Sequence, residues 1–307
     1  MTNIDTRVTI GSLTMKNPVM PASGAYDYFE DNANTFPMTE LGAVMLKTIH
    51  HDFRPGNKPP RIAEITGGML NAVGIPSVGI HAFVESNVLR DKYSKLNTPV
   101  IVSVSGGGAE AIAECCALLD DNEYAAALEL NLSCPNVGTG LQLSSDETVL
   151  AEIIRAVRKA TRKTFFAKLS PNVTNIAKMA KICEDNGADA VTIANTYMGM
   201  KIDLKTRKPF LGNGQGGASG PAIKPLTVYK VFQAYKAVSI PIIGCGGIMN
   251  SDDALEYIFA GASAVQVGAA NFVNPNAMPE VIHGLEAWME ANGVSSIAEI
   301  RGAAHQA

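Results

Sequence analysis

The chain is predicted to be an α/β protein, a (β/α)8 TIM barrel with an N-terminal β-hairpin plug and long βα loops over its C-terminal face. Three observations carry that expectation. Short apolar runs recur about eight times along 307 residues, helix signals fall between several of them, and no G-x-G-x-x-G follows the first run as a doubly wound dinucleotide fold would require. The runs lie at residues 18–20, 43–46, 100–104, 127–130, 165–169, 190–194, 241–243 and 264–267. Each has the length and apolar character of a parallel strand buried on both faces.

Taken in order, residues 7–10 and 13–16 flank Gly11-Ser12, a two-residue hairpin placed to plug the bottom of the barrel. Ser144 and Glu147 form a capping box ahead of Val149, Ile153, Ile154 and Val157. A second helix is expected from Thr174 to a glycine cap at Gly187, and a third from Asp252 to Gly261. Two long connections break the rhythm, one from about Thr48 to Thr98 and partly helical, the other glycine-rich from Tyr197 to Ile223. Connections of that length in compact domains are commonly functional. Lys201, Lys205, Arg207 and Lys208 in the second read as a solvated basic face. No repeat or low-complexity segment divides residues 1–307, so one domain is expected.

Composition narrows the function. A hydrophobic content of 47% with 28 glycines provides a large core and many tight turns, and a net charge of -4 argues against a nucleic-acid footprint. The apolar runs are too short to span a bilayer, and the polar first residues lack a signal-peptide core, so a cytoplasmic protein with reduced thiols is expected. Cys115, Cys116, Cys134, Cys183 and Cys245 form no C-x-x-C pair, and the adjacent His50 and His51 lack helical metal-pair spacing, so no metal site is expected. Cys115, Cys116 and Cys183 read as core residues.

Catalysis in such barrels sits at the carboxyl ends of the strands. Those ends carry Ser23, Lys47-Thr48, Ser103, the run 131–136 (Asn-Leu-Ser-Cys-Pro-Asn), Lys168, Asn195-Thr196, Gly244-Cys245-Gly246-Gly247 and Gly268-Ala269. Two lysines and two asparagines converging on an apolar mouth are costly to bury unless something anionic or hydrogen-bonding pairs with them. Glycines after the last two strands suit backbone binding of phosphate. Cys134 is a candidate base or nucleophile, although a lone cysteine is more often structural. Lys168 can serve as a Schiff-base amine or as a fixed charge that stabilises a developing anion. The absence of aspartate or glutamate at the other strand ends weighs against the Schiff-base lyase.

Several segments resemble the class 1 dihydroorotate dehydrogenases, and nearly the whole chain looks like the class 1B catalytic subunit. They are Met20-Pro21-Ala22-Ser23-Gly24, Asn71-Ala72-Val73-Gly74-Ile75, the run 131–136, Asn195-Thr196, and the run 261–268. The runs 199–207 and 219–225 point to class 1B in particular. The resemblance implies FMN in the barrel mouth and oxidation of (S)-dihydroorotate to orotate in pyrimidine (UMP) biosynthesis. By position, Cys134 would be the general base. Lys47, Asn71, Ala72, Val73, Gly74, Ile75, Asn131, Asn136, Asn195 and Thr196 would surround the substrate. Ser23, Lys47, Thr48, Ser103, Asn131, Lys168, Ala194, Gly220, Gly246, Gly247, Gly268 and Ala269 would hold FMN.

The chemistry is compatible. A pyrimidine acid offers amide edges to carboxamides and a carboxylate to a lysine, and a thiol of ordinary pKa near ~8.5 needs modest tuning to act as a base. The chain departs from the family pattern at Ser103, usually asparagine, at Ala194, usually a larger aliphatic residue, and in residues 76–78 and 138–144. Class 1B further implies a homodimer joined by an electron-transfer subunit carrying FAD and a 2Fe–2S cluster, a heterotetramer that reduces NAD. The alternatives are a fumarate-dependent class 1A-like enzyme or a related FMN-dependent dihydropyrimidine oxidoreductase. From other classes come a Schiff-base lyase through Lys168 and a non-catalytic flavin-binding subunit.

Overall fold

The computed structural model describes residues 4–26, 35–132 and 143–306. Eight parallel strands make the barrel and are numbered in chain order: β1 Val19–Pro21, β2 Val44–Met45, β3 Val100–Ser105, β4 Ala125–Asn131, β5 Thr164–Lys168, β6 Ala190–Ile193, β7 Ile242–Cys245 and β8 Ala264–Val267. Each overlaps one of the expected apolar runs. Pairing follows the order β1-β8-β7-β6-β5-β4-β3-β2. The ring closes where the Gly42 N–H donates to the Val19 carbonyl at 2.9 Å. A Cβ on Gly42 would lie 2.0 Å from the Asn17 carbonyl oxygen, so only glycine allows this seam.

Both faces of the strands are covered, which is why they read as unbroken apolar runs: every residue of β3 and of β5 is buried. Helices Ala109–Asp120, Glu147–Ala160, Ile176–Asp185, Lys224–Tyr235, Ser251–Phe259 and Ala277–Ala291 make up most of the outer layer. The glycines at 187 and 261 follow their helices with φ of 100° and 116°, the conformation expected of a glycine after a helix end. The first cap differs from expectation. Asp146 takes the Thr148 and Val149 N–H groups, and Ser144 is buried behind it, accepting from Ser170 N at 3.0 Å. Aspartate is as good an N-cap as serine and stands one residue before the helix, so it wins the position.

The N-terminal strands Val8–Ile10 and Leu13–Met15 pair antiparallel around Gly11-Ser12. Ser12 N donates to Thr164 Oγ1 at 2.8 Å, at the first residue of β5, so the hairpin seals the N-terminal end of the barrel.

The two long connections are not separate loops. Tyr197–Gly199 and Gly216–Ser219 from one pair with Gly68–Asn71 and Ile62–Ile65 from the other, forming a four-stranded antiparallel sheet. It has its own small core of Ala63, Leu70, Ala72 and Leu211. The expected basic residues lie around it, with the Lys201 ammonium donating to the Glu64 carbonyl at 2.9 Å. No helix among the described residues is long and apolar enough to cross a membrane.

Candidate active site

A cavity of about 260 Å³ opens at the C-terminal ends of the barrel strands, beside this sheet. The strand ends supply Ser23, Lys47, Thr48, Asn131, Lys168, Ala194, Asn195, Thr196, Cys245, Gly246, Gly247, Gly268 and Ala269. The sheet and the turns around it supply Met69, Asn71, Val73, Gly74, Ile75, Ser219 and Gly220. Residues from distant parts of the chain therefore meet at one place because parallel strands all deliver their ends to the same face.

Two polar layers line this space. Alternate residues of a strand point the same way, so Glu129 and Asn131 of β4 share the barrel face and each founds a layer. In the deeper one, Lys168 Nζ donates to Gln266 Oε1 at 2.7 Å and lies 3.5 Å from Glu129 Oε1. Gln266 Nε2 and Thr192 Oγ1 both donate to Glu129 Oε2. The Lys168 side chain is 3% exposed and that of Glu129 0%, so this is a buried ion pair.

Burial acts against the Lys168 ammonium more strongly than any single neighbour, but Cys245 and Glu129 together hold its pKa above the ordinary lysine value. Burial also pushes the Cys245 thiol up. Near neutrality Cys245 is therefore an uncharged thiol, and Glu129 is the counter-charge.

The shallower layer is neutral. Thr48 Oγ1 and Ser103 Oγ lie 2.9 Å apart, Asn131 Nδ2 donates to Thr48 Oγ1 at 3.1 Å, and Asn195 Nδ2 donates to Asn131 Oδ1 at 3.2 Å. Thr196 N donates to Asn195 Oδ1 at 2.8 Å, closing a ladder across four strand ends. Asn71 reaches the site from the covering sheet, its Nδ2 donating to the Gly217 carbonyl at 3.4 Å. Ile75 lines the cavity at φ 49°, a left-handed conformation that a β-branched side chain rarely adopts.

Part of the cavity wall is bare backbone. Gly220, Gly246 and Gly247 have φ of 105°, 143° and 70°. A Cβ on Gly247 would sit 2.7 Å from the Gly220 carbonyl oxygen and 2.9 Å from Lys224 N, so the two loops approach as only glycine permits. A Cβ on Gly268 would meet nothing nearer than Ala22 Cβ at 3.4 Å, which leaves the cavity side open there.

These residues fit a flavin mononucleotide. A glycine wall after β7 and β8 suits a phosphate, and a buried ammonium suits a ring that gains negative charge on reduction.

The expected site residues mostly meet here, with two corrections. Ser103 is fully buried behind Thr48 and reaches the cavity only through that hydroxyl. Ala72 is also fully buried and packs into the core of the covering sheet. Cys134 and Asn136 lie outside the described residues. Glu129, Thr192 and Gln266 were not anticipated, and neither was a carboxylate beside Lys168. The available signal was a lone charge inside the apolar run of β4, in register with buried strands on both sides.

A sequence model of the family described as dihydroorotate dehydrogenase matches residues 6–289. A Pelobacter propionicus protein named dihydroorotate dehydrogenase B (NAD(+)), catalytic subunit, is 46% identical over 300 residues, covering 97% of this chain and 98% of the relative. A Trichlorobacter lovleyi protein of the same name is 47% identical over 299 residues, covering 96% and 97%. A solved Eimeria tenella structure, described as DHODH in complex with ferulenol, superposes with a TM-score of 0.83 at 24% identity. It covers 99% of this chain and 89% of that one, and at this identity it speaks for the fold.

Proposed function

This chain belongs to the dihydroorotate dehydrogenase family, and from that premise we propose that it oxidises (S)-dihydroorotate to orotate with FMN held in the barrel mouth. The observation that carries the reading is the stacking of a neutral carboxamide layer over a buried ammonium, facing a glycine wall. When bound, FMN supplies the two-electron acceptor that takes a hydride from the substrate ring. Gly246, Gly247, Gly268 and Ala269 hold its phosphate through the backbone, with Ser23, Thr48 and Gly220 beside them. Lys168 faces the charge that reduction creates.

The substrate's amide edges are met by Asn71, Asn131, Asn136 and Asn195, with Thr196 beside them. Lys47 meets its carboxylate. Val73, Gly74 and Ile75 close over it and exclude water. Cys134 takes the proton from the carbon next to the one that loses hydride. Lys168, held charged by Glu129, is unsuited to attack a carbonyl, which disfavours a Schiff-base lyase.

The relatives' name includes both NAD(+) and a catalytic subunit. The partner that the name calls for would carry FAD and a 2Fe–2S cluster and pass electrons to NAD, with the chain itself as a homodimer in the cytoplasm. Co-purification from the native source tests this, since an iron–sulfur flavoprotein should travel with the chain.

The base is tested by Cys134→Ala. The variant should bind orotate yet bleach its flavin with dihydroorotate about 10²–10⁴-fold more slowly near neutral pH. Bleaching at the wild-type rate would refute Cys134 as the base.

A further inference from the structure

Glu129 is the buried charge of the barrel that the reaction above leaves without a task. A carboxylate inside an apolar strand is costly unless paired and hydrogen-bonded, so its partners indicate what it is kept for. An ionised carboxylate only accepts, and here Oε2 accepts from both Gln266 Nε2 and Thr192 Oγ1. That decides the Gln266 amide. With its NH2 turned to Glu129, its carbonyl must face Lys168, and it accepts from Nζ at 2.7 Å. The reverse orientation would set an NH2 group against an ammonium and a carbonyl against a carboxylate.

Lys168 Nζ has three protons. One goes to Gln266, a second points toward Glu129 Oε1 at 3.5 Å, and the third faces the Cys245 thiol, with the ammonium lining the cavity. Glu129 Oε1 has no hydrogen bond of its own among the described residues, so its remaining capacity is directed at the ammonium.

We infer that Glu129 is a positioning residue which, directly and through Gln266, fixes both the place and the charge of the Lys168 ammonium and so sets the reduction potential of the flavin. The inference rests on FMN binding in this cavity. The other groups facing Lys168 cannot replace Glu129. Thr192 and Gln266 are neutral, and burial keeps the Cys245 thiol and the Tyr257 phenol behind it protonated. Lys47, on the same cavity, carries the wrong sign.

The test is the midpoint potential of bound FMN followed against pH in wild type, Glu129→Gln and Glu129→Gln/Lys168→Met. Without the counter-charge, burial lowers the pKa of a lysine. The potential of Glu129→Gln should therefore fall more steeply than wild type as pH rises through values at which the wild-type ammonium stays charged. The excess slope should vanish in the double variant. A shift of about 30 mV would report a tenfold change in relative affinity for the two flavin redox states.

If Glu129→Gln does not fold, Gln266→Leu keeps both charges and removes the relay, and its potential should still move by at least that amount. Wild-type potentials and slopes in the folded variants would overturn the inference. A wild-type chain that binds no FMN would instead overturn the reading of the cavity, and is told apart by the absence of flavin absorbance in every sample.

Discussion

One strand, β4, serves two regions that handle polarity in opposite ways. Glu129 enters a dry layer that pairs charge with charge, and Asn131, two residues on, enters a neutral ladder of amides and hydroxyls. A buried ion pair gains little net stability over apolar packing, whereas losing one member strands the other at a cost of about 3–5 kcal/mol. The deep layer is thus expensive and brittle. The shallow layer loses less when cut, because each amide can turn to water or ligand. Charge is placed where it must not move, and adaptable dipoles where a substrate must come and go.

Lys168→Met should break the contrast most severely. It strands Glu129, so unfolding should show a loss of about 3–5 kcal/mol. In folded protein, flavin bleaching should slow by about 10²–10³-fold, as when a preorganised charge is removed. A stable, fully active variant would show that the deep layer is not a charge device.

Gly247→Ala should come next. A methyl group forced against Gly220 and Lys224 at φ 70° should cost about 1–3 kcal/mol and weaken FMN binding at least ~10-fold by fluorescence titration. Unchanged affinity would remove this loop from the phosphate site. Asn195→Ala cuts the ladder beside Asn131 and should raise the KM for dihydroorotate by about 10-fold, leaving the Lys168 network and FMN affinity near wild type. Equal damage to both would merge the two layers into one.

The smallest effect is expected at the surface, where ion pairs matter least. Hydrogen bonding to Glu114, then to Asp52, raises the His51 pKa above its ordinary value despite opposing desolvation. The folded value exceeds the unfolded one, so the contribution is fully present below about pH 6.5 and is lost as pH rises through the folded value. Glu114→Gln should therefore destabilise by no more than about 1 kcal/mol in acid, with the difference fading in alkali. A pH-independent difference would assign Glu114 some other role.

The eight strands were legible because burial on both faces leaves an apolar run that solvent-facing segments cannot imitate. The glycine wall and the lysines were legible because glycine and buried charge stand out where strands end. The covering sheet was not. Its strands are three or four residues long, in pairs such as Gly68–Asn71 with Gly216–Ser219, and no local periodicity links residues so far apart in the chain. Glu129 was hidden for a related reason. Its meaning comes from Lys168 and Gln266 on other strands, and its own neighbours Leu128 and Leu130 look like ordinary core.

We propose that these layers oxidise dihydroorotate with a flavin. This is tested most directly by mixing the FMN-reconstituted chain anaerobically with (S)-dihydroorotate while flavin absorbance and orotate are followed together. The oxidised flavin bands should be lost, with one orotate formed per flavin. A flavin that binds and keeps its oxidised spectrum, with no orotate released, would contradict it.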